Sequence, residues 1–368
     1  MKVLFMVNLP SPYRAMFFSE LGKLCDLTVM YERASASDRD KRWKADEADT
    51  YKTIFLKGKE VGADNSFCPE ILRYLKKEKY DYYVVGMYST YTAMLAITYF
   101  KLSNIPFILS TDGGFVGHES KIKYIIKRHF IKAASNWLST SDKASEYLMH
   151  YGAKKEEIYL YPFTSLKERD LREARELTEE TRKAIKSELN IKEEKVILGV
   201  GQFIYRKGFD LLIKAAKNLS ENIGVYIVGG EPTEEYLSLA KGLNDRIHFI
   251  GFVGKEEVAK YYKCADIFVL PTREDIWGLV VNEALSYGTP CITTNRCGAG
   301  CALIKDGVNG YIVPTNNDKE LVTKINSLLN SKSRDIRKAC IESVENYTIE
   351  KMAKRHIEIF DFIGRNNK

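Results

Sequence analysis

Two acids, two cations and three groups of glycines stand at spacings that could hold a phosphorylated sugar. The stretch Thr272–Pro290 reads TREDIWGLVVNEALSYGTP. Asp275 falls in the loop before a predicted helix, and Glu283 follows eight residues later. That is a little over two helical turns, so both carboxylates can project to the same side. Gly278 stands at the helix start. Free backbone N–H groups and the positive dipole end attract an anion there, and a residue without Cβ lets a phosphate come close. One acid would grip sugar hydroxyls, the helix end a diphosphate, and the other acid a ribose. The competing reading is two solvated charges on a helix face. A second group is Arg206-Lys207-Gly208, at the end of Gly201–Gly208 (GQFIYRKG). Two cations where a strand gives way to a helix can neutralise a diphosphate as its bond to a sugar breaks; a pair of exposed loop cations is the alternative. The third is Gly298, Ala299 and Gly300 within NRCGAGCALIKDGVNG. It reads as a loop of small residues whose backbone N–H groups could touch phosphate or sugar.

These groups need rigid elements behind them. Short apolar, β-rich runs recur before each: Val196–Val200 before the cation loop, Ala265–Leu270 before Asp275, Cys291–Thr294 before the small-residue loop. Runs this apolar predict strands covered on both faces, as in a parallel α/β sheet. Helical patterns follow each strand, which predicts right-handed crossovers. The first half has the same order, with strands at Lys2–Asn8, Leu27–Tyr31, Tyr82–Val85 and Ile105–Ser110. The last of these ends in Ser110-Thr111-Asp112-Gly113-Gly114. Residues at the C-terminal end of a parallel strand face the ligand crevice, so Asp112 could take a sugar hydroxyl; a turn aspartate is the alternative. Arg14 could meet a phosphate or an acceptor, or be a surface arginine. No GxGxxG follows the first strand, which argues against a dinucleotide redox cofactor. Asp38-Arg39-Asp40 spells DxD, but in a polar run with no strand leading into it, so no metal is expected there.

The chain has 368 residues, enough for about two domains. Lys167–Lys195 is charge-dense with no continuous apolar face before Ile185 and reads as a surface helix and linker. Domains are therefore placed at 1–166 and 167–347. No apolar run reaches the ~18–20 residues of a membrane span. The N-terminus reads as a strand, not a signal peptide. Seven cysteines without regular spacing read as reduced thiols of a cytoplasmic protein. The net charge of +7 suits phosphates or an anionic membrane face, and no nucleic-acid partner is expected. Lys121–Ala134 (KIKYIIKRHFIKAA) puts Ile122, Ile125, Ile126 and Phe130 on one face. This basic helix could lie on anionic headgroups as a peripheral contact, or pack its apolar face on the sheet.

The stretch Thr272–Pro290 resembles the glutamate–seven residues–glutamate motif of the family 4 (group 1) retaining glycosyltransferases. The match runs through Gly278-Leu279-Val280, Glu283-Ala284 and Gly288-Thr289-Pro290. Asp275 stands where the family has its first glutamate. Lys207-Gly208 match the end of the family's cation loop; Gln202 replaces its arginine, with Arg206 a candidate for the missing charge. Ala302 stands where a glutamate would follow the glycines. The resemblance implies a GT-B fold: two Rossmann-like, doubly wound parallel-sheet domains facing across a cleft. It also implies that the helix 348–368 returns to the first domain. The implied chemistry is transfer of a sugar, with retention, from a UDP-sugar to a glycan or lipid-linked acceptor in cell-surface polysaccharide synthesis. The nucleotide-sugar is a substrate, and neither cofactor nor metal is implied. Asp275, Arg206, Lys207 and Asp112 would be catalytic, with His118 competing for the place of Asp112. Glu283 would bind the ribose, and Phe252 and Val253 the base. Trp277, Gly278, Leu279, Val280, Gly298, Ala299 and Arg14 would complete the substrate site. Open alternatives are a UDP-sugar epimerase or phosphorylase on the same fold, and a degenerate transferase acting as a binding partner.

Overall fold

The structure is a computed structural model that describes residues 1–34, 50–61, 65–76, 79–243, 245–331 and 335–366. Asp38-Arg39-Asp40 lies outside the described residues. The chain forms two compact units, Met1–Ser165 with Thr348–Lys368, and Leu166–Tyr347.

The first unit runs β1 (Lys2–Val7), α1 (Pro12–Gly22), β2 (Asp26–Tyr31), β3 (Lys52–Phe55), the antiparallel pair β4 (Lys59–Val61) and β5 (Asn65–Phe67), β6 (Tyr82–Val85), α2 (Tyr91–Leu102), β7 (Ile108–Ser110), α3 (Lys121–Ile131), β8 (Asn136–Ser139), α4 (Asp142–His150) and β9 (Ile158–Leu160). The second runs α5 (Glu168–Arg175), α6 (Glu179–Glu188), β10 (Lys195–Val200), α7 (Phe209–Ala216), β11 (Ile223–Val228), α8 (Glu234–Leu239), β12 (Ile247–Ile250), α9 (Lys255–Cys264), β13 (Ile267–Leu270), α10 (Leu279–Ser286), β14 (Cys291–Thr294), α11 (Gly298–Leu303), β15 (Gly310–Val313), α12 (Asp318–Leu329) and α13 (Ile336–Ser343). The chain then returns to the first unit as α14 (Ile349–Asn366).

Both large sheets are parallel throughout. The first has the order β3-β2-β1-β6-β7-β8-β9 and the second β12-β11-β10-β13-β14-β15. The central strands are buried along nearly their whole length, as in β1 and β11, because helices cover both faces. In each sheet the chain winds outward one way and then resumes on the other side of its first strand. The switch falls between β1 and β6, and between β10 and β13. At such a point the loops leave in opposite directions and open a crevice at the strands' C-terminal ends.

Two expectations need correction. The segment 167–195 holds two helices, and α5 is not a linker: Leu171 and Ala174 are buried, and α5 lies against α10 and α13. Two apolar residues are too few to register as a period. Most of the apolar face of α3 does not pack inward: Ile122, Ile125 and Ile126 are exposed, Phe130 alone of that face is half-buried against the core, and only Ile131 of this helix is fully buried. Among the described residues no helix is long and apolar enough to cross a membrane.

α14 packs on α1 and carries His356 into an aromatic nest. The ring centroids of Phe17 and Tyr161 lie 4.6 and 4.7 Å from that of His356, whose Nδ1 stands 2.8 Å from the Met352 carbonyl. Burial disfavours the imidazolium and brings the His356 pKa down to about 4 from 6.5. The unfolded chain therefore binds a proton that the folded chain refuses between these values. Stability falls as pH drops through that window, by on the order of 3 kcal/mol at its end. In urea unfolding, the wild type should lose about 2 kcal/mol between about pH 7 and pH 5 through this group. His356→Leu should remove that part of the slope, and an unchanged slope would clear His356 of the effect.

Candidate functional site

The crevice between β10 and β13 receives two loops, and the sequence brings them into contact through glycine. Tyr205–Lys207 makes one turn of 3₁₀ helix, and Gly208 caps α7 at φ 72°. A Cβ on Gly208 would sit 2.1 Å from the Pro271 carbonyl oxygen, so no other residue lets the loop after β10 lie against the loop after β13. The backbones are then joined directly. Arg273 N–H donates to the Arg206 carbonyl at 2.8 Å, and Thr272 Oγ1 to the same oxygen at 2.7 Å. Arg273 closes the clasp. Its guanidinium makes two 2.8 Å hydrogen bonds to the Asp210 carboxylate and lies 3.8 Å from the Tyr205 ring centroid. Burial works against the Asp210 charge, but the hydrogen bonds and charge of Arg273 outweigh it and hold that carboxyl below its ordinary range.

This clasp sets Asp275 among cations. Lys207 Nζ donates to Asp275 Oδ2 at 2.6 Å, and Arg206 Nη1 is 3.7 Å from Oδ1. Arg206 also donates to the Glu274 carbonyl at 2.8 Å. Glu274 itself, next door, turns its carboxylate to Arg296. The Lys207 and Asp275 side chains are about equally enclosed, 14% and 13% exposed, whereas Arg206 remains 47% exposed. The backbone of Asp275 is pinned at both ends: its N–H donates to the Arg296 carbonyl at 2.8 Å, and its carbonyl accepts from Gly298 N–H at 3.1 Å.

Gly278 caps α10 at φ 92°. A Cβ there would come 2.8 Å from Cys297 Sγ, so the glycine answers to packing as well as to any ligand. The Cys297 thiol is fully buried; burial, followed by the nearby Asp275 charge, pushes its pKa up to about 12. Leu279 and Val280, half-buried, form the first turn of α10, and their backbone N–H groups have no partner among the described residues. Farther along α10, Glu283 accepts from the Tyr262 hydroxyl at 3.0 Å. Tyr262 is itself buried; burial, then the Glu283 charge, raises its pKa well above the ordinary value. Phe252 and Val253 are half-buried in the segment after β12.

Two sequence expectations change here. Gly298, Ala299 and Gly300 are the first turn of α11, not a loop. Gly298 N–H is used by the Asp275 carbonyl and Ala299 N–H by the Trp277 carbonyl, at 2.7 Å for the latter, so neither is left for a phosphate. A Cβ on Gly298 would meet the Ile276 carbonyl oxygen at 2.2 Å; size, not ligand access, selects glycine there. Trp277 is 3% exposed, donates its indole N–H to Asn282 and stacks on Tyr347. Packing accounts for it without a ligand. Arg273 and Asp210 carry the site's geometry, yet the sequence offered no sign of them, because their 63-residue separation leaves no local pattern.

In the first unit, Arg14 and Asp112 come together. Arg14 Nη2 donates to Asp112 Oδ2 at 2.6 Å and Nη1 to Asn8 Oδ1 at 3.2 Å. Arg14 follows Pro12, which opens α1, and its side chain is only 14% exposed, so the surface-arginine alternative falls. Burial opposes the Arg14 charge, and the Asp112 carboxylate more than offsets it, raising that pKa above the ordinary value. Asp112 sits beyond the end of β7, while His118 is exposed farther along the same connection.

Gly278→Ala should cost roughly 1–3 kcal/mol of the second unit's stability, part from positive φ and part from the contact with Cys297. A double-mutant cycle with Cys297→Ala in urea should return the second part and leave the first. Additive effects would show that the sulfur contact contributes nothing.

Residues 181–347 match the family model described as Glycosyl transferases group 1. An uncharacterized glycosyltransferase of Methanocaldococcus jannaschii is 29% identical over 46% of this chain and 45% of its own length. A D-inositol 3-phosphate glycosyltransferase of Mycobacteroides abscessus is 32% identical over 42% and 37%. This chain thus spans less than half the length of these curated relatives. An uncharacterized 41.2 kDa protein in the cps region of Klebsiella pneumoniae is 24% identical over 84% and 87%. Among solved structures, HepE of Anabaena in complex with UDP has a TM-score of 0.77 at 15% identity, covering 98% of this chain and 100% of that one. Sucrose-phosphate synthase of Thermosynechococcus elongatus has 0.78 at 18%, covering 100% of both. At these identities the structures speak to fold. Residues 181–347 are therefore similar to the group 1 glycosyl transferases, in a chain with the GT-B fold and two Rossmann-like parallel-sheet units.

Proposed function

We propose that this protein is a retaining glycosyltransferase that moves a sugar from a UDP-sugar to a glycan or lipid-linked acceptor, without a metal ion, in cell-surface polysaccharide synthesis. One observation carries the reading: an enclosed carboxylate, Asp275, held 2.6 Å from Lys207 Nζ at the switch point of a parallel sheet and beside the open first turn of α10. A buried charge needs a partner, and here the partner is a cation that a diphosphate could take over.

In this reading the diphosphate lies over the first-turn amides of Leu279 and Val280, with Lys207 and the more exposed Arg206 turning to its oxygens. Asp275, relieved of Lys207, accepts hydrogen bonds from sugar hydroxyls. Glu283, steadied by Tyr262, takes the ribose, and Phe252 and Val253 the base. The bond from the anomeric carbon to the phosphate oxygen breaks, and its electron pair leaves with the diphosphate. The acceptor oxygen bonds to the same face of that carbon, and the acceptor's proton passes to the departing phosphate oxygen. Lys207 and Arg206 stabilise the charge that grows there. Asp112 and Arg14 serve the acceptor. UDP is favoured because HepE of Anabaena was solved with UDP and with UDP-glucose.

Calorimetry with a panel of nucleotide-sugars in EDTA, followed by a transfer assay on the donor that binds, tests this. A UDP-sugar should bind with the metal removed. Lys207→Ala should weaken it by about ten-fold or more, the loss of one charge-assisted hydrogen bond. Asp275→Asn should keep donor binding within a few-fold and lower transfer by about 10²–10³. A strict need for a divalent metal would sink the metal-free reading. Donor binding without turnover in the parent protein would favour a degenerate transferase that acts by binding.

A further inference from the structure

α3 is turned inside out. Its inward side is Tyr124, Lys127 and Arg128, all half-buried, with Ile131 buried, at helical spacing. Lys127 is held there by the Glu119 carboxylate at 2.8 Å and lies 5.0 Å from the Tyr151 ring centroid. Tyr124 donates to the His150 carbonyl at 3.3 Å, and Arg128 packs where Gly152 leaves room. This polar and aromatic seating commits the opposite side, Ile122, Ile125, Ile126 and His129, to the outside. Ile122 is 71% exposed, Ile125 62% and Ile126 45%; Val116, just before the helix, is 44% exposed. A globular helix puts such a stripe inward, and a contiguous exposed patch of this kind marks an interaction surface.

The charges that α3 itself sets beside the patch run one way. Lys121, Lys123 and Lys132 are exposed around it, and residues 121–134 contain no Asp or Glu. The first turn of α3 has no acidic residue, so Lys121 and Lys123 stand at the positive end of the helix dipole, where cations are disfavoured. A lone molecule gains nothing from either feature. A second copy of the same face would set these lysines against each other. An anionic bilayer answers both: isoleucines enter the boundary between headgroups and acyl chains, and lysines meet lipid phosphates. We propose that α3 docks this protein on an anionic membrane surface through Ile122, Ile125 and Ile126, with Lys121, Lys123 and Lys132 on the headgroups. The connection from Asp112 runs straight into this helix. The docking stands apart from the transferase reading, because donor binding is measured without lipid.

Flotation of the full chain with vesicles at low salt tests it. The wild type should float with phosphatidylglycerol–phosphatidylcholine vesicles, and not with phosphatidylcholine alone or at high salt. Lys121→Gln with Lys123→Gln should weaken partition about twenty-five-fold, roughly five-fold for each lysine. Ile122→Ser, Ile125→Ser and Ile126→Ser together should weaken it at least about a hundred-fold. All five positions are exposed, so thermal melts should match the wild type; if the isoleucine variant melts lower, the lysine pair carries the test. Failure of the wild type to float overturns the proposal, as does a well-folded isoleucine variant that floats equally. A wild-type dimer in sedimentation velocity, broken by the isoleucine changes and indifferent to vesicles, would assign the face to a second copy instead.

Discussion

Parallel strands cannot be joined by tight turns. Each must be followed by a crossover long enough to return to the other end of the sheet, usually a helix on its face. Both large sheets are parallel throughout, and the consequence is spatial. The strands' C-terminal ends gather on one edge, with the loops that follow them. Where the winding reverses, between β10 and β13, two loops from distant parts of the sequence are brought side by side at the crevice. Arg206 and Lys207 follow one of these strands, and Asp275 the other. Their meeting is a result of chain direction before it is a result of side-chain chemistry.

Side-chain chemistry then has to make the meeting tolerable. An enclosed carboxylate is costly unless paired and hydrogen-bonded. Asp275 is paired by Lys207, and the loop bearing Lys207 is held by the Arg273–Asp210 clasp and the close approach at Gly208. The glycines are the backbone counterpart of that pairing. Gly208 lets one loop touch the other's carbonyl, and Gly278 lets α10 begin beside a buried thiol. Rigid loops of this kind suit a site that must hold charge at fixed points before a ligand arrives. The half-exposed guanidinium of Arg206 and the open first turn of α10 are what this rigidity leaves for a ligand.

The two units handle charge differently. In the first, Arg14 and Asp112 neutralise each other at the strand ends, steadied by Asn8. Elsewhere in that unit, Lys127 is drawn inward by Glu119 and a ring of tyrosines while isoleucines face out on the same helix. A lysine can be seated inside when a carboxylate and aromatic faces replace its water. Once that seat is taken, helix geometry alone decides where the isoleucines go.

Local chemistry was enough to read the central strands, the sheet class, the glycine-started helices and the spacing of Asp275 and Glu283 from the sequence, but not β3, β4 and β5, which are short, mostly exposed and carry no apolar run. Apolar runs, helix stops and residue spacing are short-range properties that survive without a fold. The roles of Gly298 and Ala299 could not be read this way. A backbone N–H is free or used according to what lies across from it, and here the Asp275 and Trp277 carbonyls do. Nor could the burial of Trp277, or the Arg273–Asp210 clasp between residues far apart in sequence. The outward face of α3 shows the division most plainly. Periodicity establishes that this helix has an apolar side, but which side the protein buries depends on whether the other side finds better partners, and those partners, Glu119, Tyr147 and Tyr151, meet it only in the folded chain.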